Sequence, residues 1–593
     1  FFWLTVVCCT MTASDSDSTR EVQIIINQIK HDDTQVRVQA MGKLKKVADV
    51  LGVDRTKSEL IPFLKDCLDD EDEVLEALAE QINSLVTVMG HDNVQEVICL
   101  LEPLLCAEKS TVRDKAANTC RSISKSMTSD QILSNFYPLV IRLNKSDWFT
   151  SQTSVAPLVS VVYTHSDNEK QEELRSAYQN LVNSGIPQVR RSASANLNEF
   201  VKVIGDEHVH SFILPLFQAT AVDEQDFVRF LAVSTCIALC EKLSIEDAKE
   251  QIFPVAKSLS VDSAWRVRYM AADNFCELSK GFGENIAKEQ MVDVFVQLLR
   301  DREPEVRSAA ASQITGFCKL ISEETIINTI LPVVTELARD KDESVRASLA
   351  GDVMGLAPLL GKEKTLENLL DLFLKLLSDD FYEVRLSVIS KLNGINEVVG
   401  IELLSDSLLP AIGQLANESQ WRVRLAIIKF IPLLAKQLGV EFFDDKLSSM
   451  CLNWLTDPVH SIREAATTNI KDLIEVFGIE WAKSSIIPKV LDFCGTQKYL
   501  SRVTLLLSIN ALAPVVGSDI LEETLLPLVL NMASDTVPNV RLKVAKTLQN
   551  IVPHVSSSVI ENKIQPTIAS LLTDDDKDVR FYANQAKKSV PSA

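Results

Sequence analysis

Arginine recurs at an unbroken spacing of 39 residues from Arg190 to Arg580: Arg190, Arg229, Arg268, Arg307, Arg346, Arg385, Arg424, Arg463, Arg502, Arg541 and Arg580. A fixed period of this length is the mark of a chain built from one supersecondary unit repeated many times. Stepping back by 39 and then by 38 adds Ser151, Arg113, Leu75 and Arg37, so fifteen slots run from residue 37 to residue 580. Valine precedes the arginine at most slots, and Ile462 and Ser501 are the departures between 190 and 580.

Three more columns share this register. Six residues before the arginine stand Asp223, Asp262, Asp301, Asp340, Asp379, Glu418, Asp457, Asp535 and Asp574, with Thr496 the one exception in that stretch. Fourteen residues before it stand Pro215, Pro254, Pro332, Pro410, Pro488, Pro527 and Pro566. Fifteen residues after it stand Gly52, Gly90, Gly205, Gly283, Gly361, Gly400, Gly439, Gly478 and Gly517, with Ser or Thr in the other repeats. The segment between proline and the acidic residue is apolar, as in LPAIGQLA, and the segment from Val-Arg to glycine carries apolar residues at three- and four-residue spacing, as in WRVRLAIIKFIPLLAKQLG. Both are helix patterns. The unit is therefore helix A, a short turn and helix B, ended by glycine in a left-handed conformation. The proline is expected to kink helix A, and the acidic residue to cap helix B. A ladder of ion pairs between the arginine and carboxylate columns is expected along the turns, setting register more than adding stability. One helix pair cannot bury both of its apolar faces, and stacking makes the core continuous.

Composition agrees. Apolar residues make up 46% of the chain and aromatics 6%, a mix suited to packed helices. Lys and Arg total 60 against 81 Asp and Glu, a net charge of -21, which opposes general nucleic-acid binding and attachment to anionic membranes. The twelve cysteines form no Cys-x-x-Cys pattern, and the seven histidines form no metal-ligand set, so no cofactor or metal is expected. Phosphate-binding glycine loops, nucleophile elbows and zinc-protease helices are missing from the sequence, which argues against an enzyme. Residues 1–10, FFWLTVVCCT, carry an apolar stretch about nine residues long, short of the roughly 20 that a membrane span needs. Translation is expected to start at Met11, and residues 1–20 are expected to be a disordered extension.

Large aromatics recur three residues before the arginine slot, inside the A–B turn: Trp148, Trp265, Tyr382, Trp421 and Tyr499. Such rings either pack over the neighbouring turn or anchor a partner protein.

The fifteen slots, the even period and the strings WRVRYMAADNF, LPAIGQLANESQWRVRLAIIKFIPLLAKQLGVEFFDDKL and EWAKSSIIPKVL closely resemble the scaffold A subunits of protein phosphatase 2A, a HEAT-repeat family, over roughly residues 20–590. The resemblance implies an all-α, right-handed α-solenoid of about fifteen HEAT repeats. It implies no catalytic residues and a cytoplasmic location, with the nucleus as a second compartment. It further implies HEAT repeats 1–8 (21–322) that bind variable regulatory subunits, repeats 9–10 (323–400), and repeats 11–15 (401–593) that bind the phosphatase catalytic subunit in a heterotrimer. Carried over by position, the catalytic-subunit contacts are Trp421, Arg422, Asp457, Pro458, His460, Tyr499, Arg502, Pro538 and Asn539. The regulatory-subunit contacts are Trp148, Pro187, Arg190, Arg191, Trp265 and Arg266. His460 stands where the family carries an aromatic, and Thr496 and Ser501 break the repeat-13 columns. The alternative is an importin-β-type nuclear transport receptor, which would be longer and less even, with a long acidic loop.

Overall fold

The computed structural model describes residues 16–400, 410–491 and 498–590. The first described helix is Ser16–Ile29. Residues 1–15, and with them the Met11 expectation, lie outside the described residues.

The chain divides into two compact units, Phe1–Gln313 and Ile314–Ala593. Each is a stack of helical hairpins in which consecutive B helices pack side by side. In the first unit Asp72–Met89 packs on Ser110–Ser124, and in the second Pro538–Ile551 packs on Lys577–Ser589. The valine of the Val-Arg pair lies at the centre of each stack. Val228, Val267 and Val306 in the first unit, and Val345, Val423 and Val540 in the second, are fully buried. A strict 39-residue repeat thus returns the same side chain to the same place in the core.

Helix A is not a simple proline kink. Before the proline the helix widens to i→i+5 hydrogen bonding over five residues: Val209–Ile213 ahead of Pro215, and Leu521–Leu525 ahead of Pro527. The amide of Leu214 reaches the carbonyl of Val209, and that of Leu526 reaches Leu521. A proline has no N–H to give and its ring crowds the carbonyl four residues back, so a widened turn relieves it. Proline is not required, however, because the same widening occurs at Ala287–Met291 and Phe443–Leu447, where Asp293 and Ser449 fill the slot. What recurs in these four turns is a buried apolar pair at the first and last positions, such as Phe443 and Leu447. The expectation that proline sets the bend is corrected accordingly: burial of this pair accompanies the bend, and proline suits it.

The glycine column ends helix B, but not in the αL conformation. Gly283 has φ +83 and ψ 162, and Gly478 has φ +88 and ψ 168, a region essentially reserved for glycine. Gly205 is the exception, with φ -66. Where Ser or Thr takes the slot the solution changes. Ser244 and Ser322 have φ -63 and -75, and their hydroxyls cap the next helix by accepting from the amides of Asp247 and Thr325. A Cβ at Gly478 would meet nothing within 4 Å, so the cost of Gly478→Ala is purely conformational. It is expected to destabilise by about 2 kcal/mol in urea unfolding. Gly413→Ala, at an exposed helical site with equally open space, should instead stabilise by up to about 1 kcal/mol.

Candidate docking surface

The A–B turns carry both the ion-pair ladder and the aromatic residues. Each ladder arginine faces two ways. Nη1 of Arg268 donates to the carbonyls of Asp262 and Ser263 in its own turn, at 2.8 and 3.2 Å. Its other edge donates to the next repeat, Nε to Asp301 Oδ2 at 2.6 Å and Nη2 to Oδ1 at 2.9 Å. Arg190–Asp223 and Arg229–Asp262 repeat this fork in the first unit, and Arg346–Asp379, Arg424–Asp457, Arg502–Asp535 and Arg541–Asp574 repeat it in the second. The aspartate does not cap helix B in the usual way. Asp301 Oδ1 accepts from the amide of Glu303, the residue at the N-cap position itself, at 3.0 Å. It therefore shapes the turn and ties it to the preceding repeat.

Two rungs differ. Glu418 pairs with Arg385 through Nη2 at 2.8 Å, and Nε of Arg385 has no partner. The longer glutamate replaces the two-point fork with a one-point contact. At the Thr496 slot the sequence has no carboxylate for Arg463, whose buried Nε is also unpartnered. Thr496 itself lies outside the described residues.

Burial alone would raise the carboxyl of Asp301. The hydrogen bonds from Arg268 and the Glu303 amide, with the Arg268 charge, outweigh it and hold the group below the usual carboxylate range. Asp223, Asp262, Asp379 and Asp535 are lowered in the same way. A lowered folded-state pKa contributes stability that is complete above the unfolded value of about 3.9 and is lost as pH falls through the folded values. Acid unfolding followed by circular dichroism should therefore begin below about pH 4. The double variant Asp262→Asn, Asp301→Asn should start less stable at neutral pH and lose less on acidification.

The sequence-derived contact residues separate into two groups. Arg190, Arg502 and Asp457 are ladder members, turned inward and paired. The others lie on the outer side of the turns within each unit. Arg422 lies over the Trp421 ring at 4.8 Å, and Arg266 lies over Trp265 at the same 4.8 Å, with both indoles half-buried and both guanidiniums exposed. Trp148 is 73% exposed and Tyr499 42%. Pro187 and Pro538 sit in the first turn of helices Pro187–Val203 and Pro538–Ile551, which stiffens those entries. Pro458, His460, Asn539 and Arg191 are exposed beside them.

The structure adds residues that spacing alone missed. In the first unit Arg191 and Arg266 share a cleft of about 450 Å³ with Gln188, Phe227 and Phe230. The string DFVRF flanks the arginine slot with two rings, and that was the available signal. In the second unit a cleft of about 530 Å³ is lined by Asn417, Lys446, Met450, Trp454 and Pro458, among others. Trp454 is buried at its edge and donates from Nε1 to the Ala416 carbonyl at 3.1 Å, bracing one turn on the next. Among the described residues there is no group of three or more His, Cys, Asp or Glu placed to hold a metal, and no helix is long and apolar enough to cross a membrane.

Stacked two-helix units with this ladder define a HEAT-repeat protein. Residues 284–361 match the PPP2R1A-like HEAT repeat, and residues 525–555 match the HEAT repeat. Among solved structures, importin beta from an ammonium sulfate condition aligns with a TM-score of 0.58 at 13% identity, over 97% of this chain and 79% of that one. The chain of the Kap95:Nup1 complex aligns with a TM-score of 0.62 at 13% identity, over the same 97% and 79%. At such identity the likeness is one of fold alone.

Within that class, part of the chain is similar in sequence to scaffold A subunits of protein phosphatase 2A. It is 47% identical over 208 residues to the protein phosphatase 2A scaffold subunit of Dictyostelium discoideum, covering 34% of this chain and 35% of that one. It is 43% identical over 203 residues to the serine/threonine-protein phosphatase PP2A 65 kDa regulatory subunit of Drosophila melanogaster, covering 34% of each. It is 41% identical over 241 residues to the probable serine/threonine-protein phosphatase PP2A regulatory subunit of Caenorhabditis elegans, covering 40% of each. The alignments thus span about a third to two fifths of the relatives' length. These proteins are named as scaffold or regulatory subunits, not as catalytic ones.

Proposed function

We propose that this chain is a non-catalytic scaffold of a protein phosphatase 2A heterotrimer. The turns of residues 401–593 hold the catalytic subunit, while those of residues 21–322 hold an interchangeable regulatory subunit. The observation that carries this reading is the pair of matched Trp–Arg stacks, Trp265–Arg266 and Trp421–Arg422, presented on turns that the buried ladder holds in register. Aromatic and arginine side chains on a stiff support are what protein interfaces use as anchors. The relatives' names supply the identity of the partners. A scaffold of this kind acts by tethering: substrate captured by one subunit is held at high effective concentration near the other. The location that goes with this role is the cytoplasm, with the nucleus as a second compartment.

The test is reconstitution. The full-length chain should elute from a sizing column as one complex with the catalytic subunit plus any member of a panel of regulatory subunits, in a single copy of each. A chain that captures a small GTPase from extract and no Ser/Thr phosphatase would instead favour the transport-receptor alternative.

A further inference from the structure

In the first unit Arg113, like Arg463 in the second, keeps its inner contacts and lacks its carboxylate. Nη1 of Arg113 donates to the carbonyls of Ala107 and Glu108 at 2.6 and 2.7 Å, the same inward contacts that Arg268 makes. Thirty-three residues on, where Arg268 finds Asp301, the sequence has Ser146. The Ser146 hydroxyl still accepts from the amide of Trp148 two residues later, at 3.3 Å, as the aspartates do in their turns. Ser146 therefore preserves the turn and removes the charge. The neighbouring carboxylates do not replace it, since neither Asp114 nor the exposed Asp147 makes an ion pair with Arg113 among the described residues. Burial accordingly draws the Arg113 guanidinium down in pKa, whereas the paired arginines are drawn up.

Arg113 lines a cleft of about 560 Å³ that also receives Lys109 and Arg191. These three cations face the carboxylates of Glu108 and Asp114 there, an excess of positive charge in a chain of net charge -21. Trp148, the most exposed tryptophan among the described residues, stands in the same turn as Ser146, and Arg191 extends the cleft towards Phe227 and Arg266.

We propose that the carboxylate missing from this rung is supplied in trans: an acidic side chain of the bound regulatory subunit docks on the open edge of Arg113, flanked by Lys109 and Arg191. The proposal rests on the scaffold function above and deepens it. Arg113 becomes a residue that selects partners by whether they carry an acidic group at this point. A two-point arginine–carboxylate contact is both strong and directional, and its register is set by the same backbone carbonyls that fix the other rungs.

The experiment fills the rung from within. Ser146→Asp should restore the fork, raise Tm, and weaken binding of a regulatory subunit by about tenfold in a titration of the full chain. Arg113→Gln should weaken it similarly without raising Tm. Affinity for the catalytic subunit should be unchanged in both variants. Equal regulatory-subunit binding by wild type and both variants overturns this proposal alone. A wild-type chain that binds no regulatory subunit overturns the scaffold function together with this proposal. A third arm uses inorganic phosphate at constant ionic strength. If phosphate raises the Tm of wild type but not of Ser146→Asp, and the regulatory subunit is indifferent to both variants, the site takes a free oxyanion and the partner assignment is overturned.

Discussion

Asp301→Ala is expected to destabilise the chain by on the order of 3 kcal/mol, among the largest effects available to a single residue on its turns. The side chains of Arg268 and Asp301 are 8% and 9% exposed. Removing the carboxylate leaves a buried guanidinium with half its hydrogen bonds, and that uncompensated charge costs more than the pair itself contributes. The variant also loses the bond to the Glu303 amide, so the turn leading into Pro304–Ala311 should loosen. Urea unfolding measures the total. Hydrogen exchange places it, since stability in a stacked array is local and the helices Trp265–Asp273 and Pro304–Ala311 should lose protection first. Asp301→Asn keeps the turn bond and should cost less. A loss under about 1 kcal/mol for Asp301→Ala would mean that the rung behaves like an exposed surface pair.

Trp421→Ala is expected to weaken catalytic-subunit binding by about 2 kcal/mol or more while leaving the fold nearly unchanged. The ring is half-buried, and Arg422 covers one face at 4.8 Å, so the pair is already ordered before a partner arrives. Binding then orders little that was free, which is how a rigid anchor gains affinity. Truncating Arg422 to alanine should cost less, because it removes the cover and not the anchor. Calorimetric titration of wild type and variants with the catalytic subunit decides it, and unchanged affinity for Trp421→Ala would remove this residue from the interface.

Much of the fold was legible in particular columns. The valine before most of the arginines could be read as core because its apolar character returns at the repeat period, and Val267, Val345 and Val423 are fully buried. The glycine column could be read as helix ends, and the backbone at Gly283 and Gly478 takes a conformation that other residues avoid. The pairing of arginine and carboxylate columns was also legible, as a spacing of 33 residues between Arg268 and Asp301. The bend of helix A was read only in part, because the proline that signals it is absent at two of the widened turns. The interface was harder to read, since arginines of one type take opposite roles. Arg190 turns inward to Asp223 while Arg191, its neighbour, faces an open cleft. Adjacent residues on a helix point some 100° apart, and which of them meets the next repeat depends on how the hairpins stack.

The sequence by itself determined the helical unit, its period, its end signals and the list of side chains that could carry a partner, because these follow from local propensity and from the regular return of apolar residues. Only the tertiary structure decided which charges are spent inside the ladder and which remain outside it. That distinction depends on a carboxylate one repeat away reaching a guanidinium across the stack. It is why Arg268 is part of the framework, while Arg113, at the equivalent place in its own repeat, is left with an open edge.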